Sequence, residues 1–298
     1  MALSIVELFG YAPTDSSDVA RANREDLHCP FLSARCTKTL NDGTISGVCT
    51  VKLATSGPIL CCPIRLYANK YAILGDIAAS CFGKGIELIP AQKAARTKHN
   101  GPIVAVFGKG WGKELRLPQR SGTGGYFVDW VLALIDNGRR LQEFVAVEVQ
   151  AIDTTGNYRA ERKAYLHGKD FRGYSEAGVN WENVSKRILP QIIYKGHVLR
   201  REPRCLKGMF FVCPTPVYER IRQRLGGNLL AYSLQPGALT FRWYDISNET
   251  QGGRLRSLLP GGQLTTTVDQ VANAFVSPTN LPDAGVYERA IEAELKFK

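Results

Sequence analysis

Two carboxylates and an amide sit where the chain is otherwise apolar. Asp129 interrupts YFVDWVLALI (126–135), and Glu148 and Gln150 interrupt EFVAVEVQAI (143–152). Successive side chains of a strand alternate faces, so Glu148 and Gln150 share one face. Carboxylates brought within a few ångströms of each other and taken out of water repel and are costly to desolvate. Such a pair shares a proton or binds a cation, and hard oxygen ligands suit Mg²⁺. The competing reading is a half-exposed strand whose acids face solvent and pair with Arg139 or Arg140, because alternation is what any half-buried strand shows.

The positioning element is a hairpin. Both apolar segments are rich in β-branched and aromatic residues, and Asp136-Asn137-Gly138 between them is turn chemistry, which predicts two antiparallel strands. A fold-back around Gly138 and Arg139 places Asp129 about opposite Glu148. Around the hairpin, the spacing predicts a short capped helix over 14–26 and a helix over 66–82, with Cys81 on its core side and Gly83 and Gly85 at its end. It predicts strands over 102–107 and 114–117. Trp181, Val184, Ile188, Ile192 and Leu199 mark one long amphipathic helix, bent at Pro190. Strands over 207–213 and 239–246 and helices over 216–225, 267–275 and 283–295 follow. The fold class expected is α/β, a mixed sheet flanked by helices.

The 298 residues suffice for one large or two small cores. Thirty-eight Lys and Arg against 27 Asp and Glu give a formal charge of +11 and a pI near 9.3. That excess favours polyanions, of which nucleic acid is the commonest. It is spread along the chain, with concentrations at Arg200, Arg201, Arg204 and Lys207 and at Arg220, Arg222 and Arg224, as a basic groove would need; a merely soluble basic protein is the alternative. No apolar run is long enough to span a membrane, and no leader pattern opens the chain, so a cytoplasmic location is expected.

Reduced thiols are then expected, and clustered ones become candidates for metal. Cys29, Cys36, Cys49, Cys61 and Cys62 fall in a turn-rich stretch with too few large apolar residues for a core of its own. Four thiolates around Zn²⁺ or Fe would staple it. The gaps are long, no C-x-x-C pair is present, one of Cys61 and Cys62 is spare, and His28 is a possible substitute. Ordinary buried thiols are the alternative.

The order helix, acid-bearing strands, helix, strand resembles the PD-(D/E)xK nuclease core, with Asp129 followed by Glu148-Val149-Gln150 as its motif. The blocks CPFLSARC, SGVCTVK, CCPIRLY, FVDWVLALI, VEVQAIDTTGNY and VSKRILPQIIYKG, between Cys29 and Cys213, together resemble the NotI family of type II restriction endonucleases, EagI-like enzymes included. The resemblance implies a nuclease region over 66–298 behind an N-terminal region, 1–65, that holds iron on Cys29, Cys36, Cys49 and Cys62. It also implies a homodimer cutting a GC-rich palindrome in double-stranded DNA. Asp129 and Glu148 would hold Mg²⁺ together with the backbone carbonyl of Val149, and Glu114 in KELRL would be an outer acid. Val128 replaces the motif proline and Gln150 replaces its lysine. An amide is neither base nor cation, so Gln150 can only orient water or substrate. Asn157, Tyr158, Arg159, Arg162 and Lys163 are candidates for the phosphate backbone, with a solvated helix face as the equal alternative, and Arg65 is a candidate for a base edge, although a core or phosphate contact is the commoner place for any one arginine. Rival functions are a non-catalytic metal-containing DNA binder and an iron-sulfur repair exonuclease of the same superfamily.

Overall fold

The computed structural model describes residues 3–295 apart from 55, 112, 118–125, 156, 174 and 176. The main elements in chain order begin with β1 (Leu3–Leu8), α1 (Asp18–Glu25), β2 (Val48–Leu53), β3 (Pro58–Leu60), α2 (Ala68–Phe82), β4 (Leu88–Pro90) and β5 (Ile103–Gly108). They continue with β6 (Trp130–Ile135), β7 (Leu141–Val149), α3 (Arg159–Leu166), α4 (Leu189–Arg200), β8 (Met209–Pro214), α5 (Thr215–Leu225), β9 (Ala238–Ile246), β10 (Leu258–Thr267), α6 (Val268–Val276) and α7 (Val286–Leu295).

Seven strands form the central sheet in the order β10-β9-β8-β7-β6-β5-β4. The β5-β6, β6-β7 and β9-β10 pairs are antiparallel, whereas β4-β5, β7-β8 and β8-β9 are parallel. The expected mixed α/β sheet flanked by helices is therefore what the chain forms. One face, with Val104, Val106, Leu132, Val145, Val147, Phe210 and Val212, packs on Ile73, Leu74 and Ile77 of α2. The other, with Val131, Ala146, Met209, Phe211 and Phe241, packs on Ile192 and Leu199 of α4, Ile221 of α5 and Val271 of α6. Burying β-branched and aromatic side chains on both faces explains the continuous apolar runs of the inner strands.

A second, three-stranded sheet in the order β1-β2-β3 is built from the N-terminal region. Leu3, Ile5, Leu8, Val48 and Val51 share their core with Val131, Ala146 and α4. The backbone N–H of Ile5 donates to Glu161 Oε1 of α3 at 2.9 Å. Arg162 donates from Nε to the Ser46 carbonyl at 2.6 Å and from its guanidinium to the Ile45 carbonyl, and Tyr158 Oη lies 3.1 Å from Ser46 Oγ. Tyr158 and Arg162, expected on the phosphate backbone, are instead buried struts between α3 and the small sheet.

Four departures from the sequence reading have local causes. The first strand of the hairpin is split: Tyr126–Phe127 pairs with Arg116–Leu117, and the central ladder begins only at Trp130. The expected strand over 114–117 is only that two-residue pairing, with Glu114 exposed ahead of it. The expected amphipathic helix is helical throughout 182–200, but a π-helical turn at Val184–Ile188, directly ahead of Pro190, has the wider hydrogen-bond spacing that accommodates a residue without an N–H. Strand β10 carries Pro260-Gly261-Gly262, breaker chemistry tolerated because it is a sheet edge. A Cβ at Gly262 would stand 2.4 Å from the Trp243 ring, so glycine is what lets the edge strand close over that indole.

Candidate active site

Register brings the acids together. The β6-β7 ladder opens with Trp130 facing Val147, and Asp129 stands just ahead of that first rung, beside Glu148 and Val149. The turn makes this possible: Asp136 Oδ1 accepts the Arg140 N–H at 2.9 Å, and Arg139 takes the left-handed conformation (φ 62°). Asp129 sits at the break ahead of β6, and its Oδ2 accepts the Val149 N–H at 2.8 Å, replacing a ladder partner. Behind it, on the opposite face, Trp130 Nε1 donates to Tyr67 Oη at 3.0 Å, with Tyr71 packed edge-on to the indole. Three consecutive left-handed residues, Asn69, Lys70 and Tyr71, form the turn that delivers Tyr71 there.

The electrostatics are those of two acids held apart from water. Burial raises the Asp129 pKa, against the Val149 N–H and the Lys195 ammonium, which lower it; the charge of Glu114 adds to the rise. Glu114 is exposed, yet close enough for Asp129 to sense. Burial and then Asp129 push Glu148 up to about 7, opposed by Lys195. Lys195 Nζ of α4 lies 2.5 Å from Glu148 Oε1. Glu148 Oε2 is buried and has no hydrogen-bond partner among the described residues. A bare, buried carboxylate oxygen beside a second carboxylate is a site a hard cation would fit.

Lys195 is the residue the sequence reading passed over. Its signal was present: Ile188, Ile192, Lys195 and Leu199 share one helical stripe, so the lysine stands among core positions. Gln150 continues the strand, its N–H donating to the Val212 carbonyl at 2.9 Å, while its side-chain amide donates to the Ala151 carbonyl at 3.2 Å.

Beyond Gln150 a small recess, lined by Asp153, Asn183, Arg187 and Gln191, leads to a polar groove of about 610 Å³. Lys38, Thr39, Asn41, Asn157, Arg159 and Asn180 line the groove, with Asp153, Asn183 and Arg187 common to both. Asn157 and Arg159 thus keep the surface place expected of them. Arg65 does not: it is fully buried, its Nε and Nη2 donating to Glu7 at 3.0 and 3.1 Å and Nη2 also to the Arg256 carbonyl. Arg200 and Lys207, from one basic concentration, pair with Asp269 and Glu143, and Arg220 and Arg224, from the other, lie over Trp181 and Phe275.

The cysteines fall into two groups. Cys29 lies on a two-residue ribbon with Ala34–Arg35, Cys36 follows it, Cys49 is on β2, and Cys62 caps the 3₁₀ turn Pro63–Tyr67. Cys29 senses Cys36, Cys49 senses Cys62 and Cys29, and Cys62 senses Lys38, Cys61 and then Cys36, so the four lie near one another as a ring with Cys61 beside it. Burial raises Cys29 and Cys49 and pushes Cys62 up to about 12. The Cys29 sulfur accepts the N–H groups of Phe31 and Leu32. Cys61 turns aside, where Lys38 Nζ donates to its sulfur at 3.3 Å and its carbonyl at 2.6 Å. As they stand, no three His, Cys, Asp or Glu side chains among the described residues are gathered tightly enough to hold an ion. Cys29, Cys49 and Cys62 are buried and Cys36 half-buried, and thiols of this kind have the softness that Fe or Zn prefers.

No helix among the described residues is long and apolar enough to cross a membrane. No curated protein matches the chain. The family model described as restriction endonuclease NotI matches residues 15–226, a span that contains the acid pair, the cysteines, Lys195 and the polar groove. The chain belongs to the NotI family of restriction endonucleases, nucleases that act on DNA.

Proposed function

We propose that the protein is a Mg²⁺-dependent type II enzyme that cuts both strands of double-stranded DNA at a GC-rich palindrome. The observation that carries this reading is the Asp129–Glu148 pair, two acids on one face with a bare oxygen on the second. Residues 66–298 act as the PD-(D/E)xK nuclease region and residues 1–65 as its metal-stapled N-terminal region. Asp129, Glu148 and the Val149 carbonyl hold Mg²⁺, with Glu114 as an outer acid. Bound there, Mg²⁺ supplies an activated water and offsets charge growing on the phosphate. Gln150 would orient water by hydrogen bonding and, as an amide, would act as neither acid nor base toward it. The polar groove beyond Gln150 receives DNA, its amides facing base edges and Arg159 and Arg187 facing phosphate.

The cysteine ring, Cys29, Cys36, Cys49 and Cys62, holds a structural Fe or Zn ion, because four protein ligands leave no position open for chemistry. The groove-lining segment at Lys38–Asn41 follows directly on Cys36, so this ion fixes part of the recognition surface. A homodimer places two such sites on the two halves of a palindrome.

The test is incubation of plasmid DNA with the protein and Mg²⁺, followed by sequencing of the ends. Discrete fragments with a common terminal sequence are expected. Shifted but intact DNA would mean a binder, and degradation from ends would mean an exonuclease; either overturns the proposal. Metal analysis of the purified protein separates iron from zinc.

A further inference from the structure

Position 150 leaves the site without a lysine, yet a lysine is present. Lys195 arrives from α4, 47 residues after Glu148, across the sheet face that Glu148 shares with Ala146 and Phe211. Both residues are only 6% exposed. Lysine is almost never buried unless paired, and a buried ion pair is seldom better for stability than apolar residues of the same volume. Its neighbours on the stripe, Ile192 and Leu199, show that the position is compatible with an aliphatic side chain.

The contact is also one-sided. Nζ occupies Glu148 Oε1 at 2.5 Å, while Oε2 stays bare. The same ammonium acts on Asp129. Without it the two acids would carry two uncompensated charges in a desolvated place. With it they keep one net negative charge and one oxygen turned out for a ligand.

We propose that Lys195 is the positioning cation of the acid pair, supplying from a helix the charge that Gln150 lacks on the strand. It anchors Glu148 by one oxygen so that the other stays presented, and it lowers the affinity of the pair for a divalent ion while fixing the geometry in which that ion works. The inference rests on the nuclease reading above.

The experiment compares the parent with K195M and K195R in the full-length protein. Calorimetry with Ca²⁺ reports binding at the pair, and single-turnover cleavage at saturating Mg²⁺ reports the chemistry. K195M is expected to bind Ca²⁺ about tenfold more tightly, because a nearby positive charge is gone. It is also expected to cleave at least about 100-fold more slowly, the usual loss when one preorganised donor is removed. K195R, which keeps the charge, should recover at least about a tenth of the parent rate. A purely structural lysine would give the tighter Ca²⁺ binding without the loss of rate at saturating Mg²⁺, so the split between binding and rate is the discriminating readout. If K195M does not fold, K195Q, which keeps a donor toward Glu148, gives the same reading. Cleavage by the folded neutral variant within about threefold of the parent, or Ca²⁺ affinity no tighter than the parent's, would overturn the role of Lys195. A parent that does not cut in Mg²⁺ would overturn the nuclease reading instead, whatever the variants do.

Discussion

Among the described residues two ion pairs are buried on both sides, and they are built differently. Glu7 and Arg65 are both fully buried, and the carboxylate is saturated: Thr50 donates to one oxygen, and Arg65 reaches both. Glu148 and Lys195 are nearly as buried, but one carboxylate oxygen has no partner among the described residues and a second acid stands beside it. That saturated pair ties the small sheet to the turn after β3 and to the Arg256 carbonyl; its carboxylate has no oxygen left for a cation, although Arg65 Nη1 is buried without a partner among the described residues. The unsaturated pair is poor economy for a fold and good provision for a cation. Neither burial nor a bare oxygen by itself sets Glu148 apart, since Glu161 Oε2 is also buried without a partner among the described residues; a bare oxygen beside a second acid does.

Breaking each pair should separate the two roles. E148Q is expected to lower cleavage by about four orders of magnitude, close to the scale at which metal activation is lost, while its melting temperature stays within a few degrees of the parent's. Single-turnover kinetics and calorimetry would read this, and retained cutting would remove Glu148 from the mechanism. E7Q should do the reverse. It leaves a buried guanidinium short of its counter-charge, costing about 3–5 kcal/mol of stability in denaturant titration, with cleavage by the remaining folded protein nearly unchanged in the cold.

The pH dependence sharpens the contrast. Glu148 is raised from 4.5 to about 7, so between those values the folded protein holds a proton that the unfolded chain has released. Metal-free stability is then greatest below pH 4.5 and falls as pH rises toward 7, by up to roughly 1.4 kcal/mol per unit. Melting curves in a chelator should show this slope for the parent and lose it for E148Q. The smallest effect belongs to another satisfied contact, Lys38 with Cys61. C61S keeps an acceptor there, so it should retain its metal and lose under about 1 kcal/mol.

What the sequence disclosed was local or periodic. The hairpin, its turn and the facing acids follow from alternation and Asp-Asn-Gly chemistry over a single stretch. Helix ends at Ser17, Gly83 and Thr267 were legible because caps are short-range. Lys195 was not read, since its meaning depends on α4 crossing a sheet face formed far away in the chain. Glu7 carried the same signal as Glu148, an acid among aliphatics, but β1 is short and its partner Arg65 lies 58 residues on. Arg65 stood open between a base edge and a core or phosphate contact because arginine type says nothing of burial, and the core contact is what forms. Edge strand β10 was hidden by its own Pro-Gly-Gly.

The struts between α3 and the small sheet have a consequence for engineering. Ile5, Ile45 and Ser46 are bonded to Glu161, Arg162 and Tyr158, just downstream of β7. The N-terminal region and the segment after β7 are thus interlocked parts, like mortise and tenon. A chimera that grafts residues 1–65 from a relative, in search of new target preference, must carry the matching 153–166 stretch with it, or the joint will not seat.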